Sequence, residues 1–179
     1  MRALFLFLLS CSFGLTLSSQ AGVFGDIEFG DGYTAVQNKL MKSELADTDL
    51  PETLLGRTGI NGVFKTTRTL DGQRLKLFFT FENDSLTEIQ LRTDSKASIN
   101  SAIGLVEEAS KELDKIHGKA AQSGQAPKAN QLPVGASMLY RVWHPGDGGS
   151  ALVGLTRDKD GFSAIICLKR KRIELQKTP

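Results

Sequence analysis

The chain has 179 residues, with 22 Lys and Arg against 20 Asp and Glu, a formal net charge of +2 that is too near neutral to steer it strongly onto nucleic acid. Apolar residues make up 40% and charged residues 23%, a globular composition that excludes wholesale disorder, a collagen-like chain and a polytopic membrane protein. Two Cys and two His leave almost nothing for a disulfide framework, a structural zinc site or a Ser-His-Asp triad.

Residues 1–21 read as an export signal rather than as fold. Arg2 is the only charge, Ala3 to Leu17 is almost entirely apolar, and Ser19 and Ala21 stand at minus three and minus one of a cleavage point after Ala21. That is the layout of a secretory signal peptide, and the apolar run is shorter than the roughly 20 residues a membrane-spanning helix needs. The alternative is a lipoprotein box at Phe7-Leu8-Leu9-Ser10-Cys11, with Cys11 as the lipidated residue; the apolar run continues past it through Phe13, Leu15 and Leu17. Either way the chain is expected outside the cytoplasm, periplasmic or secreted. Cleavage after Ala21 leaves Cys167 as the only cysteine, which excludes an intrachain disulfide. Its setting in Ala164-Ile165-Ile166-Cys167-Leu168 predicts a buried core thiol.

Gly22 to Phe29 forms a short lead, after which Asp31 is a candidate helix N-cap. Tyr33, Val36, Leu40 and Met41 recur at helical spacing and predict a helix over 32–43. Residues 43–62, with Pro51, Gly56, Gly59 and Gly62, read as an irregular connection with a turn of helix near 51–55. Strands are predicted at 63–70 and 73–82 about Asp71-Gly72, a pair suited to the positive φ angles of a type I′ turn. If Leu70 pairs with Gln73, Thr66 faces Leu77 and Phe64 faces Phe79. Asn83-Asp84-Ser85 then turns the chain into a third strand over 86–93.

The pattern repeats. Ile99, Ala102, Ile103, Val106, Ala109, Leu113 and Ile116 mark one face of a helix over 97–117, with Gly118 as its stop and Glu107–Lys111 as a surface pair. A long loop over 119–135 follows, then strands at 136–144, 150–157 and 162–170, separated by Pro145–Gly149 and Asp158–Gly161. The expected class is therefore α+β: two helix-plus-three-stranded antiparallel meander units, 22–94 and 95–179, in one compact domain with helices packed on one face of the sheet.

Gly30, Gly32, Val36 and Leu40, followed by the run Leu77 to Ile89, give the first half a resemblance to a known fold family. It is the one shared by the small β-lactamase inhibitor proteins and the outer-membrane lipoprotein of the barrel-assembly machinery. Met41-Lys42-Ser43 stands where that family often has Gly and Pro, and Phe64 where it has Trp. The resemblance implies an envelope or secreted module that binds another protein through its sheet or loops, without a cofactor.

Chemistry is sparse. The mature chain offers Cys167 with His117 or His144 as nucleophile and base, and nothing in the spacing joins them. Asp158-x-Asp160-Gly161 opens like a calcium loop but lacks the later ligands. Gly146–Gly149 lacks the Lys-Ser/Thr of a phosphate loop and precedes a strand. Glu107-Glu108 reads as a solvated helix face. No catalytic, cofactor or metal residue is assigned, and an enzyme is not expected. Two binding features remain. Lys169-Arg170-Lys171-Arg172 follows the last strand and suits an acidic partner or an anionic surface. Phe78 and Tyr140 are candidate aromatic anchors. The expected function is a non-enzymatic protein-binding or accessory module acting on an envelope or extracellular protein, with no nucleic-acid partner. The alternative is a small-molecule or lipid binder with its ligand between helix and curved sheet.

Overall fold

Paired left-handed residues set the first two hairpins. Asp71 and Gly72 have φ 47° and 73°, and Asn83 and Asp84 have φ 51° and 57°, the backbone that lets adjacent strands keep their twist across a two-residue loop. The computed structural model describes residues 24–146 and 148–175; the predicted signal peptide, its cleavage point and Cys11 lie outside them. In chain order the elements are α1 (Tyr33–Lys42), β1 (Ala46–Asp47), α2 (Glu52–Thr58), β2 (Lys65–Leu70), β3 (Gln73–Glu82), β4 (Ser85–Arg92) and α3 (Ile99–His117). They continue with β5 (Gln122–Ser123), a 3-10 turn (Ala129–Gln131), β6 (Ser137–Trp143), β7 (Ser150–Asp158) and β8 (Gly161–Lys169).

The protein is α+β, with one antiparallel eight-stranded sheet in the order β1-β2-β3-β4-β8-β7-β6-β5. Each half runs helix, two-residue edge strand, short helical turn, three-strand meander, and the halves meet where β4 pairs with β8, Ile89 opposite Leu168 and Leu91 opposite Ile166. The edge strands and the 3-10 turn fall where the sequence predicts irregular chain. Their two-residue length gives no period to detect.

The first hairpin departs from the predicted register. Leu70 pairs with Gln73, but the pairing slips before Lys65, which lies opposite Lys76, and Phe64 accepts from the Leu77 amide at 2.9 Å instead of facing Phe79. Thr66 causes the slip: its hydroxyl takes the Leu75 amide at 2.9 Å and donates to the Arg68 carbonyl at 2.6 Å, filling a ladder position with a side chain.

Strand alternation sends Leu77, Phe79, Ile89, Leu91, Ala164 and Leu168 into the main core, together with every buried apolar side chain of α1 and α3. The opposite face carries a second, smaller cluster of Val142, Leu152, Ile165 and Cys167. Among the described residues no helix covers it; Leu139 and, from the segment after β8, Ile173 and Leu175 pack there. Backbone amides hold that segment down, Ile173 to Ser150 Oγ at 2.7 Å and Leu175 to Gln122 Oε1 at 2.6 Å.

The cap of α1 is also not where the sequence places it. Gly32 is the N-cap and has no capping side chain. The carboxylate of Asp84, on the β3–β4 turn, accepts the Tyr33 amide at 2.8 Å. Asp31 instead accepts the Glu28 amide and the Lys39 ammonium, at 2.8 and 2.7 Å. At α3 the reading holds better. Ser98 caps it through the Asn100 amide at 3.2 Å, and Gly118 ends it at φ 76°. Glu107, however, pairs with Arg141 at 2.7 and 2.9 Å, leaving Lys111 to Glu108 at 2.6 Å.

Candidate functional site

The sheet face opposite the helices is where the candidate residues gather. Phe78 on β3 lies opposite Gln90 on β4, and Gln90 lies opposite Cys167 on β8. Over Phe78 sits the Arg92 guanidinium, 4.2 Å from the ring centroid, a cation–π contact. Arg92 donates to Gln90 Oε1 at 2.5 and 3.0 Å. Gln90 donates in turn to Glu88 Oε1 at 2.5 Å, and Lys169 closes the chain on Glu88 Oε2 at 2.7 Å. One polar ladder thus crosses the two central strands beside one aromatic ring.

The other side of Phe78 abuts a loop. Gly62, at φ 74°, comes so close that a Cβ there would lie 3.1 Å from Phe78 Cε1. Asn61 fixes this approach by binding both backbone groups of Phe79, at 2.6 and 3.1 Å. Phe78 is therefore half-buried, gripped by Gly62 and Arg92 and open between them.

Tyr140 is not an anchor, contrary to expectation. Leu139 lies opposite Gly154 and Arg141 opposite Val153, so Tyr140 is the extra residue of a β-bulge. It joins the main core at 4% exposure. Its hydroxyl is buried without a hydrogen-bond partner among the described residues, and burial, with a lesser contribution from Glu107, pushes the phenol up to about 12. Trp143 lies in the core, its indole N–H donating to Asp114 Oδ1 at 2.9 Å and to the Gly118 carbonyl at 3.0 Å.

Cys167 is buried, and burial first, then Glu88, raises its thiol to about 12. The charged groups acting on it are Glu88, Lys169 and Arg92, with no histidine among them. His144 instead stands with Nε2 3.3 Å from Glu174 Oε1. A thiol so protonated is a poor nucleophile.

The basic run is divided. Lys169 pairs with Glu88 at 2.7 Å and Arg172 with Glu174 at 3.2 Å. Arg170 and Lys171 are exposed and make no ion pair among the described residues. Among these residues no group of three or more His, Cys, Asp or Glu is placed to hold a metal ion, and no helix is long and apolar enough to cross a membrane.

Between α3 and the sheet lies a cavity of about 70 Å³, lined by Phe24, Leu45, Leu70, Leu75, Leu113 and Leu168 among others. No family model, curated protein or solved structure gives a significant match to the chain. The class defined here is thus an α+β protein with a partly open outer sheet face, and its functional reading rests on its own geometry.

Proposed function

We propose that this chain is an exported, non-enzymatic binding module that holds an envelope or extracellular protein against the outer face of its sheet. The observation that carries the reading is Phe78, half-buried beneath Arg92 on the outer face of the antiparallel sheet. Aromatic and Arg side chains are the residues most enriched at the energetic centres of protein interfaces. A ring already held by Gly62 and Arg92 loses little conformational freedom on docking. The first-half resemblance implies the same mode, binding through sheet or loops.

The test is capture from envelope extract by the tagged chain, run beside Phe78→Ala at low and moderate salt. A stoichiometric partner kept by the native chain at moderate salt and lost by the variant supports the reading. Equal retention by both refutes this face. Retention only at low salt moves the contact to the basic segment.

The cavity behind β2 and β3 favours a second reading, a small-molecule or lipid binder. Its volume of about 70 Å³ is far below the roughly 300 Å³ of the smallest usual ligand pockets. It accepts the tip of an apolar chain rather than a whole ligand. Native mass spectrometry of the purified protein separates the two readings, since a lipid binder carries added mass.

A further inference from the structure

We propose that the cleft between the β3–β4 turn and the segment after β8 binds a small oxyanion, a phosphate or carboxylate group carried on a polar ligand. The cleft has a volume of about 420 Å³, within the roughly 300–1,000 Å³ of ordinary ligand sites. Arg170 and Lys171 form one wall, and Glu82, Asn83, Ser85 and Thr87 form the other. Arg170, Lys171, Glu82, Asn83, Ser85 and Thr87 take no part in the Phe78 contact, although Glu88 and Lys169, which also line the cleft, belong to the ladder beside that ring.

The charge balance decides what the cleft attracts. Two carboxylates reach it, Glu82 and Glu88. Glu88 is already matched by Lys169 at 2.7 Å and by the Gln90 amide at 2.5 Å. That leaves one free carboxylate against two free cations. The donors are also in surplus: the Ser85 hydroxyl and the Asn83 amide make no side-chain hydrogen bond among the described residues. Thr87 has already given its hydroxyl proton to the Thr80 carbonyl at 3.2 Å.

The backbone beneath Arg170 is also held. The Arg170 amide donates to the Thr87 carbonyl at 3.1 Å, which carries the β8–β4 ladder one residue past Lys169. This fixes the stretch of chain from which Arg170 extends, and its guanidinium can present a planar fork to an oxyanion. Glu82, across the cleft, accepts a hydroxyl or ammonium elsewhere on the ligand, so a bare halide is a poor occupant.

The experiment is an NMR titration of the full chain with inorganic pyrophosphate and, in a second arm, with citrate, each against sodium chloride at matched ionic strength. The expected result is saturable movement of the backbone amides of residues 83–87 and 169–171 by at least one of the two anions. The tighter of the two assigns the group as phosphate or carboxylate. The double variant Arg170→Ala/Lys171→Ala, altered only at exposed positions, is expected to weaken binding about tenfold. Glu82→Gln is expected to tighten it about threefold by removing the opposing charge. Shifts no larger than those of sodium chloride, or shifts that survive the double variant unchanged, overturn the proposal.

Discussion

Asp84 joins the two least local features of the first half, a turn and a helix start 51 residues apart in sequence, and its replacement separates three energies. Its carboxylate caps α1 through the Tyr33 amide at 2.8 Å; losing such a cap costs about 1 kcal/mol. The first turn of α1 holds no acidic residue, so this carboxylate also faces the positive end of the helix from outside, worth about 0.5 kcal/mol. At φ 57° an alanine adds about 1 kcal/mol of backbone strain that Asn or Gly largely avoids. Asp84→Ala is therefore expected to lose about 2.5 kcal/mol, Asp84→Gly about 1.5, and Asp84→Asn about 0.5, since Asn keeps an acceptor. At about 2–4 °C per kcal/mol for a chain of this length, the alanine variant melts about 5–10 °C lower. Thermal and urea unfolding give the three values. A glycine variant as stable as the native protein would show that the carboxylate does not cap, and an asparagine variant as damaged as alanine would remove the hydrogen bond from the account. Gly32→Ala supplies an internal check, because its Cβ would sit 2.8 Å from Asp84 Oδ2. Its cost should fall sharply in the Asp84→Gly background.

The remaining predictions concern the second half. Tyr140→Phe removes a buried hydroxyl that has no partner and is expected to be neutral or stabilising by up to about 1 kcal/mol in urea melts; a loss above that range would mean that the hydroxyl is bonded. Because the folded phenol titrates near 12 against about 10 unfolded, its stabilisation is complete below pH 10 and fades as the pH rises from 10 to 12. The phenylalanine variant should flatten that alkaline decline, and an unaltered decline places its origin elsewhere. Cys167, raised to about 12 by burial, should resist iodoacetamide in the native protein and react on unfolding; rapid native alkylation would contradict its burial. Gly154→Ala puts a Cβ 2.0 Å from the Met138 carbonyl oxygen, where β6 bulges toward β7, and should cost about 3 kcal/mol or prevent folding. A melting point unchanged by this substitution would refute the close approach.

What the sequence makes legible is what repeats over several residues. Both long helices, both meanders and the Asp71-Gly72 turn follow from period and from residues that tolerate positive φ. What escapes are single side chains acting as backbone: Thr66 filling a ladder position, Asp84 capping a helix across the turn, and the bulge at Tyr140 that turns an expected anchor inward. Of the candidate contact residues, Phe78, Arg170 and Lys171 remain accessible, while Lys169 and Arg172 are matched by Glu88 and Glu174. Those pairings join residues far apart or beyond the last strand, where no period reports them.

The second cover of β7 and β8 has a basis in their composition. A sheet open to water on one side alternates apolar and polar residues, whereas a strand covered on both sides does not. Ala151-Leu152-Val153-Gly154-Leu155 and Phe162-Ser163-Ala164-Ile165-Ile166-Cys167-Leu168 do not alternate, and Ser150 to Thr156 is buried throughout. Two strands of that composition require a cover on the face away from α3. After the basic run, only Ile173 and Leu175 have the two-residue spacing to supply it, and they are the residues found there. The basic run thus leads from the end of the last strand to its cover, so Lys169 is tied to Glu88 and Arg172 to Glu174 while Arg170 and Lys171 remain at the cleft. The position of the free charges follows from the need to bury β7 and β8 twice.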